Sequence, residues 1–200
     1  MEKKTNIKKE DIIVVVKETP PTLYSIWLAP GSWKKLFTKE EYHILIIECL
    51  NSTVCDNKMK ISGYLLTYNS LCLILGNEEE NCRKVLLSFF ERIKKAILQH
   101  RKKSFHKEES IKLSPYHLFK KHDLNSPTLI KLLTGKAIRL PYYDAQLARL
   151  KNKLEHEPFC SVLDYSGAIG PVLITKLENE TAFTIVDIAM MGIETEYLIT

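Results

Sequence analysis

Between Thr22 and Ala29, both alternating sets of side chains are mostly apolar: Leu23, Ser25, Trp27 and Ala29 on one side, Tyr24, Ile26 and Leu28 on the other. A strand of this kind is covered on two faces, so the chain has to supply a sheet with material above and below it. Pro30-Gly31 ends the run. At 200 residues the chain is long enough for one domain of ordinary size with a small appendage, and too short for two large lobes. Its 45% hydrophobic and 26% charged residues exclude wholesale disorder, because there is enough apolar surface to offset the entropy of ordering.

The pattern after Gly31 alternates between helix and strand. Thr38-x-x-Glu41 is a capping-box sequence, which predicts a helix from about Lys39 to Leu50. Tyr42, Leu45, Ile46 and Cys49 form its apolar stripe, widened by Ile44 and Ile47, and Asn51-Ser52 and Asp56-Asn57 carry turn chemistry. Lys58 to Leu66 and Leu71 to Leu75 then read as two strands joined through Thr67-Tyr68-Asn69-Ser70. A second helix is expected from after Asn77 to about Arg101, with Val85, Leu86, Phe89, Ile93, Ala96 and Ile97 buried. Its aromatic residues fall at helical spacing and are assigned to the core.

Further on, Ser114-Pro115 is expected to open a short helix ending near His122, and Ser126-Pro127 another that Gly135 stops. Asp144 to Glu157 is helical, with Leu147, Leu150 and Leu154 inward, until Pro158 halts it. Gly167 to Gly170 reads as a flexible joint, and Val172 to Leu177 with Ala182 to Ile188 as a terminal β-hairpin. The expected division is an N-terminal arm (1–21), a main domain (22–163) and a C-terminal extension (164–200).

The charge is unevenly placed. From Asn81 to Lys107 nine basic residues (Arg83, Lys84, Arg92, Lys94, Lys95, Arg101, Lys102, Lys103 and Lys107) face one acid, Glu91. That is a local balance of +8 in a chain of net +5, which leaves −3 for the rest. Such a stripe on an otherwise slightly acidic protein is the footprint of phosphate-backbone binding; its plainer reading is a solvated helix face.

Other chemistry finds little support. The five cysteines lack a Cys-x-x-Cys pair, which fits a reduced cytoplasm better than a disulfide framework or a zinc knuckle. The charged start and the short apolar run Ile12 to Val16 match neither a secretory leader nor a membrane span. His43, His100, His106, His117, His122 and His156 form no His-Glu-x-x-His pattern, and His43 is expected at the surface. No glycine-rich phosphate loop is present. Neither cofactor nor metal is expected.

Taken together, the element order and the segment Tyr64-Leu-Leu-Thr-Tyr-Asn-Ser-Leu-Cys-Leu-Ile-Leu75 resemble the single-tyrosine HUH transposases, in particular their REP-associated branch. The similarity runs from about Leu23 to Leu163. The family signature is Tyr-(apolar)-Leu-Met-Pro-Asn-His-x-His-Leu-(apolar). Its tyrosine, apolar frame and asparagine are kept here, but Ser70 and Cys72 stand at the two metal-binding histidines. A serine hydroxyl and a lone thiolate do not make a Mg²⁺ site. Pro141-Tyr142-Tyr143-Asp144 and Glu155-His156-Glu157-Pro158 resemble the family's closing segments, with Lys153 at the nucleophile position. A lysine cannot form the phosphotyrosine link. With those residues in place, Tyr142 and Tyr143 are assigned packing or hydrogen-bonding roles, and Cys72 that of a small buried hydrophobe.

The resemblance implies a ferredoxin-like α/β sandwich with an antiparallel sheet, catalytically silent, plus the C-terminal hairpin extension. The expected function is binding of single-stranded or hairpin DNA, with Lys94, Lys95, Arg101, Lys102, Lys103 and Lys107 on phosphates and Lys34 and Lys35 adding to the same surface. The alternative is a protein-interaction module without a nucleic-acid role. Family relatives dimerise through their sheets, so a homodimer fits either reading. An active nuclease with rearranged ligands is a third possibility.

Overall fold

The computed structural model describes residues 23–76, 79–103, 114 and 117–176. The first strand, β1 (Tyr24–Pro30), leads through a 3-10 turn (Ser32–Leu36) into helix α1 (Lys39–Asn57). Strands β2 (Ile61–Leu66) and β3 (Leu71–Leu75), helix α2 (Glu79–Lys103) and strand β4 (Phe119–Asp123) follow, then helices α3 (Pro127–Leu133), α4 (Ala145–Glu155) and α5 (Val162–Tyr165). The four strands form one open antiparallel sheet in the order β2-β3-β1-β4, so the first strand made occupies an interior place.

The capping box forms as the sequence predicts. Glu41 N–H donates to Thr38 Oγ1 at 3.2 Å and Thr38 N–H to Glu41 Oε2 at 2.8 Å, which satisfies two otherwise unpaired donors at the start of α1. The helix then runs on past Asn51-Ser52, where a turn was expected. Asn51 is held by the later chain, its amide donating to Pro171 O and its Oδ1 accepting from Leu173 N–H, both at 2.9 Å. The Thr53 hydroxyl returns to Cys49 O at 2.7 Å. Lys58, at a φ of 54°, ends α1 in a left-handed cap, so the strand expected from Lys58 starts at Ile61.

Helices α1 and α2 cover one sheet face. Tyr42, Leu45, Ile46, Cys49 and Leu50 of α1 and Val85, Leu86, Phe89, Phe90, Ile93 and Ile97 of α2 meet Ile26, Leu28, Tyr64, Leu66, Leu71, Leu73 and Leu75 in the main core. At roughly 25 cal/mol per Å², burial of each large apolar side chain in such a core contributes about 1.5–3 kcal/mol. Two residues of α1 depart from the predicted pattern. Ile44 is exposed, and His43, expected at the surface, is buried with its ring centroid 4.5 Å from that of Phe159. Burial, with a smaller effect of Lys39, holds its imidazole pKa below the ordinary value.

On the opposite face Cys72, Ile74, Leu133, Leu154 and Cys160 form a second, smaller cluster under α3 and α4. Gly63 of β2 lets the backbone of α3 come close: a Cβ there would stand 2.7 Å from Leu133 O. The outer edge of β2 is also occupied, by Leu66 N–H to Phe159 O, Ser161 N–H to Tyr64 O and Thr175 N–H to Ile61 O. Past residue 163 the chain stays on the same core: Val172 is buried in it, and Gly170 N–H donates to the buried Asp164 carboxylate at 2.8 Å.

Residues 117–123 differ most from expectation. In place of a helix ending near His122, residues 119–123 are strand β4, paired with β1 from Pro30↔Phe119 to Ile26↔Asp123. The second arm of the expected terminal hairpin lies outside the described residues. Among these residues no helix is long and apolar enough to cross a membrane.

Candidate nucleic-acid interface

Ser70, Cys72 and Lys153, the residues singled out by the resemblance, are distributed as follows. Ser70 closes the β2–β3 turn, its N–H donating to Thr67 Oγ1 at 3.1 Å. Cys72 is buried on β3 between Leu65 and Trp27, and Lys153 is exposed on α4. Leu154, next to Lys153, packs in the same cluster as Cys72, so α4 lies on the sheet face that presents the thiol. Burial pushes the Cys72 pKa up to about 11, and that of Cys160 likewise to about 11. Among the described residues no three His, Cys, Asp or Glu side chains are grouped to hold a metal ion.

A thiol with so high a pKa is protonated at neutral pH and becomes nucleophilic only as the pH approaches that value. Cys55 is exposed while the other four cysteines are buried. Iodoacetamide at pH 7.5 should therefore modify Cys55 in the native protein and leave Cys72 untouched, as read by peptide mass spectrometry. Rapid labelling of Cys72 would contradict its burial.

The basic residues of α2 separate into groups. Arg92 is committed to α1, reaching Asp56 Oδ2 at 2.7 Å and Asn57 Oδ1 at 3.3 Å. Lys94 stands 3.9 Å from Glu91 on its own helix. Arg83 and Lys84 sit near the start of α2, about 27 Å from Arg101 and Lys102 at a rise of 1.5 Å per residue. At the latter end the 3-10 turn joins the helix: the rings of Phe37 and His100 are 4.4 Å apart between centroids. The turn that carries Lys34 and Lys35, more than 60 positions earlier in the chain, thereby has its end against the last turns of α2.

Lys34 and Lys35 differ in what they do there. The Lys34 ammonium donates to Asn69 Oδ1 at 2.7 Å and to Tyr68 O at 3.3 Å and rests 4.5 Å from the centre of the Tyr68 ring, which ties the turn to the β2–β3 connection. Lys35, Lys95 and Lys102 are exposed. Lys103 closes α2, and Lys107 lies outside the described residues.

A second feature escapes the sequence reading. Helices α3 and α4 cover the β2–β3 half of their sheet face but leave Trp27, on the interior strand β1, 41% exposed, where a strand covered on both faces was expected. His122 of β4 stands directly across from it, the two ring centroids 5.3 Å apart and inclined by 38°. Lys120 is on the same face, across from Ala29, whereas Lys121 points to the other side with its Nζ 5.0 Å from the Phe90 ring centre. The one signal for this arrangement is the alternation Lys120, His122 against Phe119, Lys121, which has too little apolar content to mark a strand. Tyr142 and Tyr143, assigned to packing or hydrogen bonding, are largely exposed.

No protein-family model matches the chain, and neither a curated protein nor a solved structure is significantly similar to it.

Proposed function

We propose that the chain is a catalytically silent, ferredoxin-like relative of the single-tyrosine HUH transposases, binding single-stranded or hairpin DNA through the basic end where the 3-10 turn meets α2. The order β1-α1-β2-β3-α2-β4 and the strand order β2-β3-β1-β4 support the ferredoxin-like reading. The packing of α4 on the sheet face of Cys72 supports aligning Lys153 and Cys72 with that family's site. Thr175 bonded to the edge of β2 supports extended chain in the first arm of the proposed terminal hairpin.

The observation that carries the DNA-binding reading is the contact of Phe37 with His100. It gathers Lys34, Lys35, Arg101 and Lys102, from two distant stretches of sequence, at one end of the molecule. Cations so placed neutralise backbone phosphates and release their counterions; they position a strand without reading its sequence.

Fluorescence anisotropy with labelled single-stranded, hairpin and duplex DNA at several salt concentrations tests this. Expected is a preference for single-stranded or hairpin DNA, a steep fall of affinity with salt, and no need for Mg²⁺. Changing Lys35, Lys95 and Lys102 together to glutamine should lower the log–log salt slope by about 2, at roughly 0.7 per phosphate contact on a single strand. No binding at low salt, or an unchanged slope in the triple variant, would overturn the assignment and leave a protein-interaction module as the better reading.

A further inference from the structure

We propose that the uncovered part of the sheet, centred on Trp27 and His122, is a stacking platform for an unpaired nucleobase of a single strand, whose phosphates continue past Lys120 toward Lys35. This rests on the nucleic-acid reading above and names the class of ligand that it takes.

The position of Trp27 is the first reason. It lies on an interior strand, hydrogen-bonded on both sides, of an antiparallel sheet, whose water-facing positions ordinarily carry polar side chains rather than a large indole. Here the cluster under α3 and α4 takes in Cys72, Ile74 and Leu65 of β3 and β2 and reaches Leu23 and Leu124 at the ends of β1 and β4, but does not include Trp27 or His122. A single indole left 41% exposed is ordinary on a protein surface, but here the His122 ring lies 5.3 Å from it, so that the two rings together offer a flat aromatic surface on the open part of the sheet.

Shape and charge select the occupant. The face-directed residues of β1 and β4 in this region are Ser25, Trp27, Ala29, Lys120 and His122, which include one lysine and no carboxylate. Flat rings beside a cation suit a nucleotide, which offers a π-face for stacking and an anionic link on either side. Each ring has only two side-chain torsions to fix and stands on a paired strand with the other ring 5.3 Å away, so little rotamer freedom is lost on binding. A duplex keeps its base faces stacked on one another, so the platform takes bases that are unpaired.

The path to the basic end is short. Trp27 and Pro30 are three strand residues apart, about 10 Å at roughly 3.3 Å per residue. From there Gly31 N–H bonds Leu118 O, and the 3-10 turn carrying Lys35 begins at once. A strand seated on Trp27 and crossing Lys120 therefore arrives at the cations already described.

Intrinsic fluorescence can test this, because the protein has two tryptophans and the other, Trp33, is buried with its Nε1–H bonded to Leu118 O. Titration with oligothymidylate should quench the emission of Trp27. An abasic oligonucleotide of equal length, with the same phosphates, should bind about tenfold more weakly and quench little. Trp27→Thr, which keeps a β-branched side chain on the strand, should lower oligothymidylate affinity about tenfold with the salt slope unchanged, and Trp27→Tyr should restore most of it. Equal binding of abasic and oligothymidylate strands by the wild-type protein would overturn the platform while leaving the charge-based reading intact. Failure of every nucleic acid to bind at low salt would remove both. A dimer in sedimentation that Trp27→Thr dissociates, with oligothymidylate binding unaltered, would assign the face to a second copy and also overturn the proposal.

Discussion

Truncating Trp33 to alanine should cost about 3–5 kcal/mol of stability, the range for removal of a large aromatic side chain from a packed core. The indole is buried among the rings of Phe37, Tyr42 and Phe119, with centroid separations of 6.2, 5.8 and 5.6 Å. Its Nε1–H donates to Leu118 O at 2.6 Å, across 85 positions of sequence. One side chain thus joins the 3-10 turn, α1 and the start of β4, and the loss of cavity filling and of the bond fall together. Urea denaturation reads the loss, and the melting temperature should drop by on the order of 10 °C. Trp33→Phe keeps most of the ring contact but not the donor and should cost far less than alanine. A loss below 1 kcal/mol for the alanine variant would mean that this junction is not packed as described. Because Lys34 and Lys35 ride on the same turn, the alanine variant should also loosen the basic end.

Gly135→Ala should destabilise by about 3 kcal/mol, from left-handed strain of roughly 1–2 kcal/mol and from displacement of a neighbouring ring and its hydrogen bond, at about 1 kcal/mol for the bond. Gly135 has a φ of 69° and follows the cap of α3. The bonds from Gly135 N–H to Leu132 O and from Lys136 N–H to Lys131 O make a Schellman ending that needs this conformation. An added Cβ would overlap the ring of Tyr165, whose hydroxyl donates to Ser62 O at 2.7 Å. Gly167, also at positive φ, has no atom within 4 Å of an added Cβ, so Gly167→Ala carries conformational strain alone. Chemical denaturation of the two variants side by side therefore isolates the Tyr165 contact. Equal losses would mean that the ring gives way at no cost.

What could be read from sequence divides along physical lines. Thr38 and Glu41, Ser126 with Pro127, and Gly135 mark helix ends by local chemistry, and each acts where the sequence places it. The buried stripe of α2 follows from its 3.6-residue period, joined by Cys82 and Phe90. Strand β4 has no such signature: within Phe-Lys-Lys-His-Asp only Phe119 is buried, and pairing with β1, some 90 positions away, makes it a strand. The continuation of α1 past Asn51 is of the same kind, since its polar groups are satisfied by Pro171 and Leu173. Buried His43 is covered by Phe159, another distant residue. The lysines of the candidate interface were visible as charge, but their convergence depends on the contact of Phe37 with His100, and the platform on β4 being a strand.

The interior place of β1 also sets an order of events during synthesis. Its pairing with β3 can be completed once residue 75 has left the ribosome, but pairing with β4 must wait for residue 123. At roughly 5–20 residues per second that interval lasts several seconds. Throughout it the second side of β1 is an unsatisfied row of backbone donors and acceptors next to apolar side chains, a template for joining another nascent chain. Translation speed between β3 and β4, and chaperone occupancy over that window, should therefore govern how much of this protein reaches its native state.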